Sequence, residues 1–247
     1  KEIKQKFFIF KNVRAFLNTF CKDINNIDKP IKKTINLNLC GNYNILFKVI
    51  NFKDYGSQSS RTRTLVIGVR KDLINISPEQ LFPKEQNAKT LRKLISDLEP
   101  LKNMGEICKN DIYHSFRNFD TKMLAWIENI KEGQSAFDNI EKERIPHKIE
   151  NGKIVFNKNK NGDKYSRCYW DKIAPCVHTR NDILASQNTV HPSDNRVFSI
   201  RELMLMMTIP NDFKWSNKEF ETLNNLSNVQ KKRVFKTRRV KYKTLYR

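Results

Sequence analysis

The sequence predicts an α/β fold with a second, smaller mixed region, on three observations. Apolar runs of strand length (FFIFKNV, NILFKVINF and TLVIGV) dominate the N-terminal part. Apolar residues at helical spacing begin only beyond Ser77. Further on, Asn-Gly dipeptides supply the turn chemistry of hairpins. Strands followed by mixed elements fit the tail end of an open sheet with an appended smaller region.

The elements follow in order. FFIFKNV reads as a buried strand; a chain rarely opens on one, so the start reads as a cut and not a natural terminus. Ala15–Ile24 is helix-compatible. Two strand-like runs, NILFKVINFKDYG and RTRTLVIGV, flank a loop that holds Gly56 and several serines. TLRKLISDL places Leu91, Leu94, Ile95 and Leu98 at helical spacing, closed by Pro100. TKMLAWIENI puts Met123, Trp126, Ile127 and Ile130 on one face. A short KIVF strand lies between Asn151-Gly152 and Asn161-Gly162. VFSIRELMLMMTIP then carries a capping box, Ser199 with Glu202, and a staple of Phe198 on Leu203. Ile200, Leu203, Met204 and Met207 share a face as core packing, and Pro210 stops the helix.

Composition limits the function classes. Lysine and arginine total 47 against 26 acids, a formal charge of +21. Hydrophobic residues make up 38% of the 247, with 16 Phe and 3 Trp, enough for a core and too aromatic for disorder. No apolar run approaches a bilayer span and no signal peptide is visible, so a membrane partner is not expected. The five cysteines are scattered without a CxxC pair, and the four histidines lack zinc spacing. Reduced thiols, no metal and a cytoplasmic setting follow. Residues 230–247 hold nine basic groups and no acid. Such an excess favours a polyanion, of which nucleic acid is the commonest.

In the loop DYGSQSSRTR, Arg61 and Arg63 stand two apart, so in extended chain both reach one anionic or carbonyl-rich ligand. Here the chain resembles the DNA (cytosine-5)-methyltransferases. FFIFKNVRAFL resembles the sixth family motif, a strand ending in Glu-Asn-Val. KVINFKDYGSQSSRTRTLVIGVR resembles the eighth, Tyr-Gly, two variable positions, then Gln-x-Arg-x-Arg. RCYWDKIAPCVHT with TVHPSDNRVFSIRELMLMMTIPNDFKW resembles the ninth and its flanks. The order is the family's.

The resemblance implies the C-terminal part of a Rossmann-like, S-adenosylmethionine-dependent sheet over residues 1–76. It implies a target-recognition domain at 77–165, the ninth-motif region and helix at 166–217, and a basic tail at 218–247. It implies methyl transfer to cytosine C5 in a specific duplex sequence, of restriction-modification type. Residue by residue, Arg63 matches the arginine on the O2 edge of the extruded cytosine, and Arg61 its companion at the active-site loop. Asn12 matches the asparagine that orders the backbone around the base. Arg196 and Glu202 match ninth-motif positions that hold the recognition domain, with Arg196 counted among the DNA-binding residues beside Arg61 and Arg63. A base must leave the stack before chemistry on it, and its edges then need fixed donors.

The departures are specific. Lys11 stands where the family has glutamate; a cation donates to cytosine N3 but cannot accept from the exocyclic amine. The eighth-motif glutamine is Ser59, with Gln58 one place early. The first four motifs, with the glycine-rich cofactor loop and the Pro-Cys nucleophile, are absent, and so is the tenth. The chain alone is therefore expected to be inactive, with S-adenosylmethionine held mainly by the missing motifs on a separate N-terminal polypeptide. Pro175-Cys176 imitates the nucleophile but lies inside the ninth motif. His178 and His191 read as backbone-positioning groups. The alternative is a non-catalytic DNA-binding subunit or an inactive remnant.

Overall fold

A computed structural model of the chain describes residues 5–215 and 217–235, which fall into two compact units divided after Ala88. The boundary lies beyond residue 76 because the chain doubles back: Tyr55 bridges to Gln86, and the Gln86 amide donates to the Asp54 carbonyl at 2.8 Å. From Lys89 onward the expected recognition and ninth-motif segments form one unit. Thr90 bridges to Ile173, and the Leu91 and Arg92 amides donate to the Lys172 and Trp170 carbonyls at 2.8 Å.

Unit 1 is built on an antiparallel sheet of β1 (Phe7–Asn12), β5 (Thr62–Arg70) and β4 (Tyr43–Asn51), in the order β1-β5-β4. The central strand β5 is the apolar one, and Val66, Ile67 and Val69 are buried. β1 contradicts the buried-strand expectation. It is the sheet edge among the described residues, and only Phe8 is half-buried, its ring laid over Gly68 where any side chain would collide. Ile9 is 60% exposed. The helix expected at Ala15–Ile24 is absent. Phe16–Asn18 make one 3-10 turn, and the short strand β2 (Phe20–Lys22) pairs with β3 (Asp28–Pro30). The aromatic and thiol side chains of Phe20 and Cys21 suit a pleated strand better than a helix interior. The helix comes later, as α1 (Ile31–Leu39), entered from Pro30.

Unit 2 has little regular structure and three apolar clusters. Helix α2 (Leu91–Ile95), capped by Thr90, packs Leu91 and Ile95 with Phe198, Leu203 and Met206. Helix α3 (Leu124–Ile127) supplies Trp126 and Ile127 to a second cluster with Tyr165 and Val190. The hairpin of β6 (His147–Glu150) and β7 (Lys153–Phe156) turns at Asn151-Gly152, as expected. Helix α4 (Ile200–Met206) opens on the Ser199–Glu202 capping box. Its face is corrected at one position: Met206 is buried while Met207 is half exposed, because the helix ends there and Thr208 takes a positive φ. Beyond α5 (Phe220–Asn224), residues 228–235 are helical. Lys231 explains this. It is 2% exposed, and its ammonium donates to the Lys109 carbonyl at 2.9 Å, while Val234 and Phe235 pack on a third cluster. The rest of the basic tail, 236–247, lies outside the described residues.

Candidate functional site

Lys11, Asn12 and Arg63 come to one end of unit 1's sheet. The register sets Lys11 opposite Leu65 and Asn12 opposite Thr64, with Arg63 next along β5 and opposite Ile50 of β4. Alternation puts Lys11, Leu65 and Arg63 on one face and Asn12 with Thr64 on the other. Lys11 and Arg63 are thus diagonal neighbours, about 7–8 Å apart by sheet geometry. The Thr64 hydroxyl, fully buried, donates to the Arg14 carbonyl at 3.2 Å and ties β5 to the turn that follows β1. Asn12 accepts from the Val13 amide at 2.8 Å, so its carboxamide oxygen orders the backbone beside it. One guanidinium nitrogen of Arg63 donates to the Thr62 carbonyl at 2.7 Å, leaving most of a rigid donor fork for a ligand.

Arg61 is placed through its backbone. Its amide donates to Asn51 Oδ1 at 2.9 Å, and Asn51 Nδ2 donates to the Ser60 hydroxyl at 2.9 Å. Asn51 therefore locks both ends of the loop that carries the arginines. An asparagine at a strand end before a turn is the local signal for such a role, and the sequence reading passed over it. Gly56 turns the same loop with φ +92°, and a Cβ there would meet the Gln86 side chain at 2.9 Å. Gln58 folds its amide onto the Gly56 carbonyl at 3.2 Å, and Ser59 is buried.

Arg196 requires a correction. It is 3% exposed, and its fork is bidentate with Glu202 at 2.9 Å on both arms, with Nε on Asp194 at 2.9 Å. A guanidinium so enclosed does not reach a DNA phosphate or base; it organises the interior of unit 2. Glu202 is 1% exposed. Burial alone would raise its pKa, but the Arg196 charge and hydrogen bonds, with the Ser199 amide, hold the carboxyl at about 2. His191 lies against the same carboxylate, and burial first of all pushes its pKa down to about 4. It is a neutral ring whose Nδ1 accepts from the Asp194 amide at 3.0 Å, a backbone-positioning role.

Arg167, which the sequence reading did not single out, is the hub of this region. Its buried guanidinium donates to the carbonyls of Ile127, Ile130, His191 and Asp194 and to Asn195 Oδ1, at 2.6–3.0 Å. No local pattern in the sequence marks an arginine whose partners are carbonyls of distant loops. Cys176 is half-buried, with its thiol 3.6 Å from the Val177 carbonyl, and His178 accepts from the Arg180 amide. Burial raises the Cys168 thiol to about 12, so it holds no thiolate to act as nucleophile.

The family model described as C-5 cytosine-specific DNA methylase matches residues 1–229. The chain belongs to that family. Among curated relatives it is 28% identical over 230 residues to the type II methyltransferase M1.HgaI of Avibacterium volantium, covering 87% of this chain and 58% of that protein. It is 27% identical over 176 residues to the type II methylase M.HgiDII of Herpetosiphon aurantiacus, covering 70% and 47%. The chain thus spans about half the length of these relatives. Among solved structures, a prophage-encoded E. coli protein named as a DNA modification methyltransferase matches with TM-score 0.54 at 17% identity, over 98% of this chain and 69% of that one. The chain therefore shares a mixed α/β fold with that protein.

The family's methyl donor is S-adenosylmethionine, and the glycines among the described residues form no cradle for it. The seven glycines stand apart in sequence, without a loop that would let backbone approach a nucleoside. The open side of Gly68 is filled by the Phe8 ring. A pocket of about 740 Å³ in unit 2 is lined by Lys109, Asn110, Glu221 and Lys231, and the Lys231 and Asn224 side chains on its lining bond to main chain.

Proposed function

We propose that this methylase chain supplies the base-gripping end and the target-recognition part of a DNA (cytosine-5)-methyltransferase of restriction-modification type. The nucleophile and most of the methyl-donor site would lie in family motifs outside these residues. The observation that carries this reading is the meeting of Lys11, Asn12 and Arg63 at one end of the sheet, with Asn51 locking the arginine loop. Arg63, with Arg61 beside it, donates to the O2 edge of an extruded cytosine in duplex DNA. Lys11 takes the place of the family's carboxylate and donates to N3. Asn12 shapes the adjoining backbone. Arg196 and Glu202 keep unit 2 in the form that presents its recognition surface. The setting is cytoplasmic.

The exposure of β1 fits a sheet that further polypeptide, of this chain or another, would cover. Its edge is unpaired among the described residues, and Phe7 and Ile9 on one face and Phe10 on the other are exposed. A strand with apolar residues on both faces suits the interior of a covered sheet. The test is co-expression with a polypeptide carrying the first four motifs of a family member. C5 methylation of duplex DNA is expected from the pair and from neither part alone. A stable pair that binds DNA and methylates nothing would remove the catalytic role. The second reading, a DNA-binding subunit without catalysis, would then stand, and Lys11 in place of a carboxylate is what favours it.

A further inference from the structure

The β6–β7 hairpin stands out from unit 2 without an evident structural reason. Every residue of β7 is exposed, and so are Lys148, Ile149 and Glu150 of β6. Only its base is anchored, where the His147 ring lies 5.6 Å from that of Trp126. Asn151 and Gly152 both have positive φ, 51° and 75°, the conformation of the tight turn that twists a two-stranded ribbon correctly. Cross-strand pairing sorts the ribbon into two faces. Ile149 pairs with Ile154 on the face of His147 and Phe156, while Lys148, Glu150, Lys153 and Val155 share the other. Ile149 is 71% exposed. An isolated ribbon with a large apolar pair in water is costly unless something covers it.

Charge chooses the occupant. Residues 147–164 hold five lysines against two acids, within a chain of net charge +21. A second copy, carrying the same excess, is repelled, whereas a polyanion is attracted. Dimensions agree. A four-residue strand projects about 13 Å, against a B-DNA major groove roughly 8.5 Å deep that admits a two-stranded ribbon. Asn151 at the turn and Asn161 in the connection beyond β7 are exposed, and carboxamides pair with adenine edges.

We propose that the β6–β7 hairpin is the element that enters the major groove of the target duplex. Lys148 and Lys153 lie along the phosphates, and the Ile149–Ile154 pair meets the apolar edge of a thymine methyl on the groove floor. This rests on the reading that the chain acts on duplex DNA, and it names the ribbon as the part that reads sequence.

The test uses the full chain and a mixed-sequence duplex, with fluorescence anisotropy across a salt series. Because the ribbon is exposed, variants are expected to keep the parent's circular dichroism and melting. Lys148→Gln with Lys153→Gln should lower the salt slope by about 2 and weaken binding roughly tenfold near physiological salt. A photocrosslinker on Ile149→Cys should attach to bases. If the lysine variant binds with the parent's affinity and slope, or the crosslinker attaches to no base, the hairpin assignment is overturned while the DNA reading survives. If the parent chain binds no duplex at all, both fall together.

Discussion

Unit 1 gathers its polar side chains at one end of a sheet and leaves apolar residues of β1 in water. Unit 2 encloses a run of charged groups, Asp194, Arg196, Glu202 and His191, beside its apolar clusters. The difference follows from what each must do. Under the proposed function, a sheet end that grips a base needs donors at the surface, and its strands need cover from elsewhere. A unit with little regular structure has few ladders to satisfy its backbone, so side chains do it. Arg167 alone collects four main-chain carbonyls that no helix or strand pairs. Buried charge of this kind fixes geometry more than it adds stability, and it makes the unit sensitive to losing either partner.

The largest effect expected from this contrast is at Glu202. Glu202→Gln leaves the buried Arg196 guanidinium with only the half-buried Asp194 as counter-charge and should cost about 3–5 kcal/mol in urea unfolding of unit 2. Glu219→Gln, which breaks the exposed Lys214–Glu219 pair of 2.7 Å, should cost under about 1 kcal/mol. Equal costs would mean that the buried network carries no special weight.

Acid should act on the same network. Burial holds His191 neutral, with its pKa lowered from 6.5 to about 4, so in that window the unfolded chain binds a proton that the folded chain does not. Stability therefore falls as pH drops from 6.5 towards 4, by on the order of 3 kcal/mol. The depressed Glu202 carboxyl extends the loss from 4.5 down to about 2. Melting temperature against pH, compared between the parent and His191→Gln, checks this: the variant should lose the upper part of the slope.

Smallest is the effect in β1. Ile9→Ser should change stability by no more than about 0.5 kcal/mol, since the side chain is already in water, while Ile67→Ala in the sheet centre should cost about 2–5 kcal/mol. Ile9→Ser should also reduce self-association in light scattering, because an apolar edge strand is a sticky one. A large loss of stability from Ile9→Ser would show that β1 is covered within the chain itself.

What was legible in the sequence was what local chemistry decides. Ser199 and Glu202 made the helix start readable, Asn151-Gly152 the hairpin, and the apolar run Thr64–Val69 a strand. Long-range partners decided the rest. FFIFKNV reads as buried because its composition is that of a covered strand, but cover is supplied by neighbours and not by the strand itself. The helix at 228–235 exists because Lys231 reaches carbonyls more than a hundred positions away, and no periodicity signals that. At the site, the family motifs marked Lys11, Asn12, Arg61 and Arg63, and pairing brought Lys11, Asn12 and Arg63 to one sheet end. Arg196 was misplaced on DNA because an arginine's partners are invisible in a linear pattern.

The central claim is that Arg63 holds an extruded base and does not simply bind phosphate. Cytosine O2 is within its reach only when the base has left the stack, so the contact stabilises the flipped state. In the assembly with the missing motifs restored, Arg63→Ala should slow methyl transfer at saturating DNA by about 10- to 150-fold, the equivalent of a lost charge-assisted hydrogen bond of about 1.5–3 kcal/mol. Duplex affinity and its salt slope should stay near the parent's. The contradicting result is the reverse: an unchanged rate at saturating DNA, with affinity and salt slope both reduced as they are when a phosphate-binding lysine is removed.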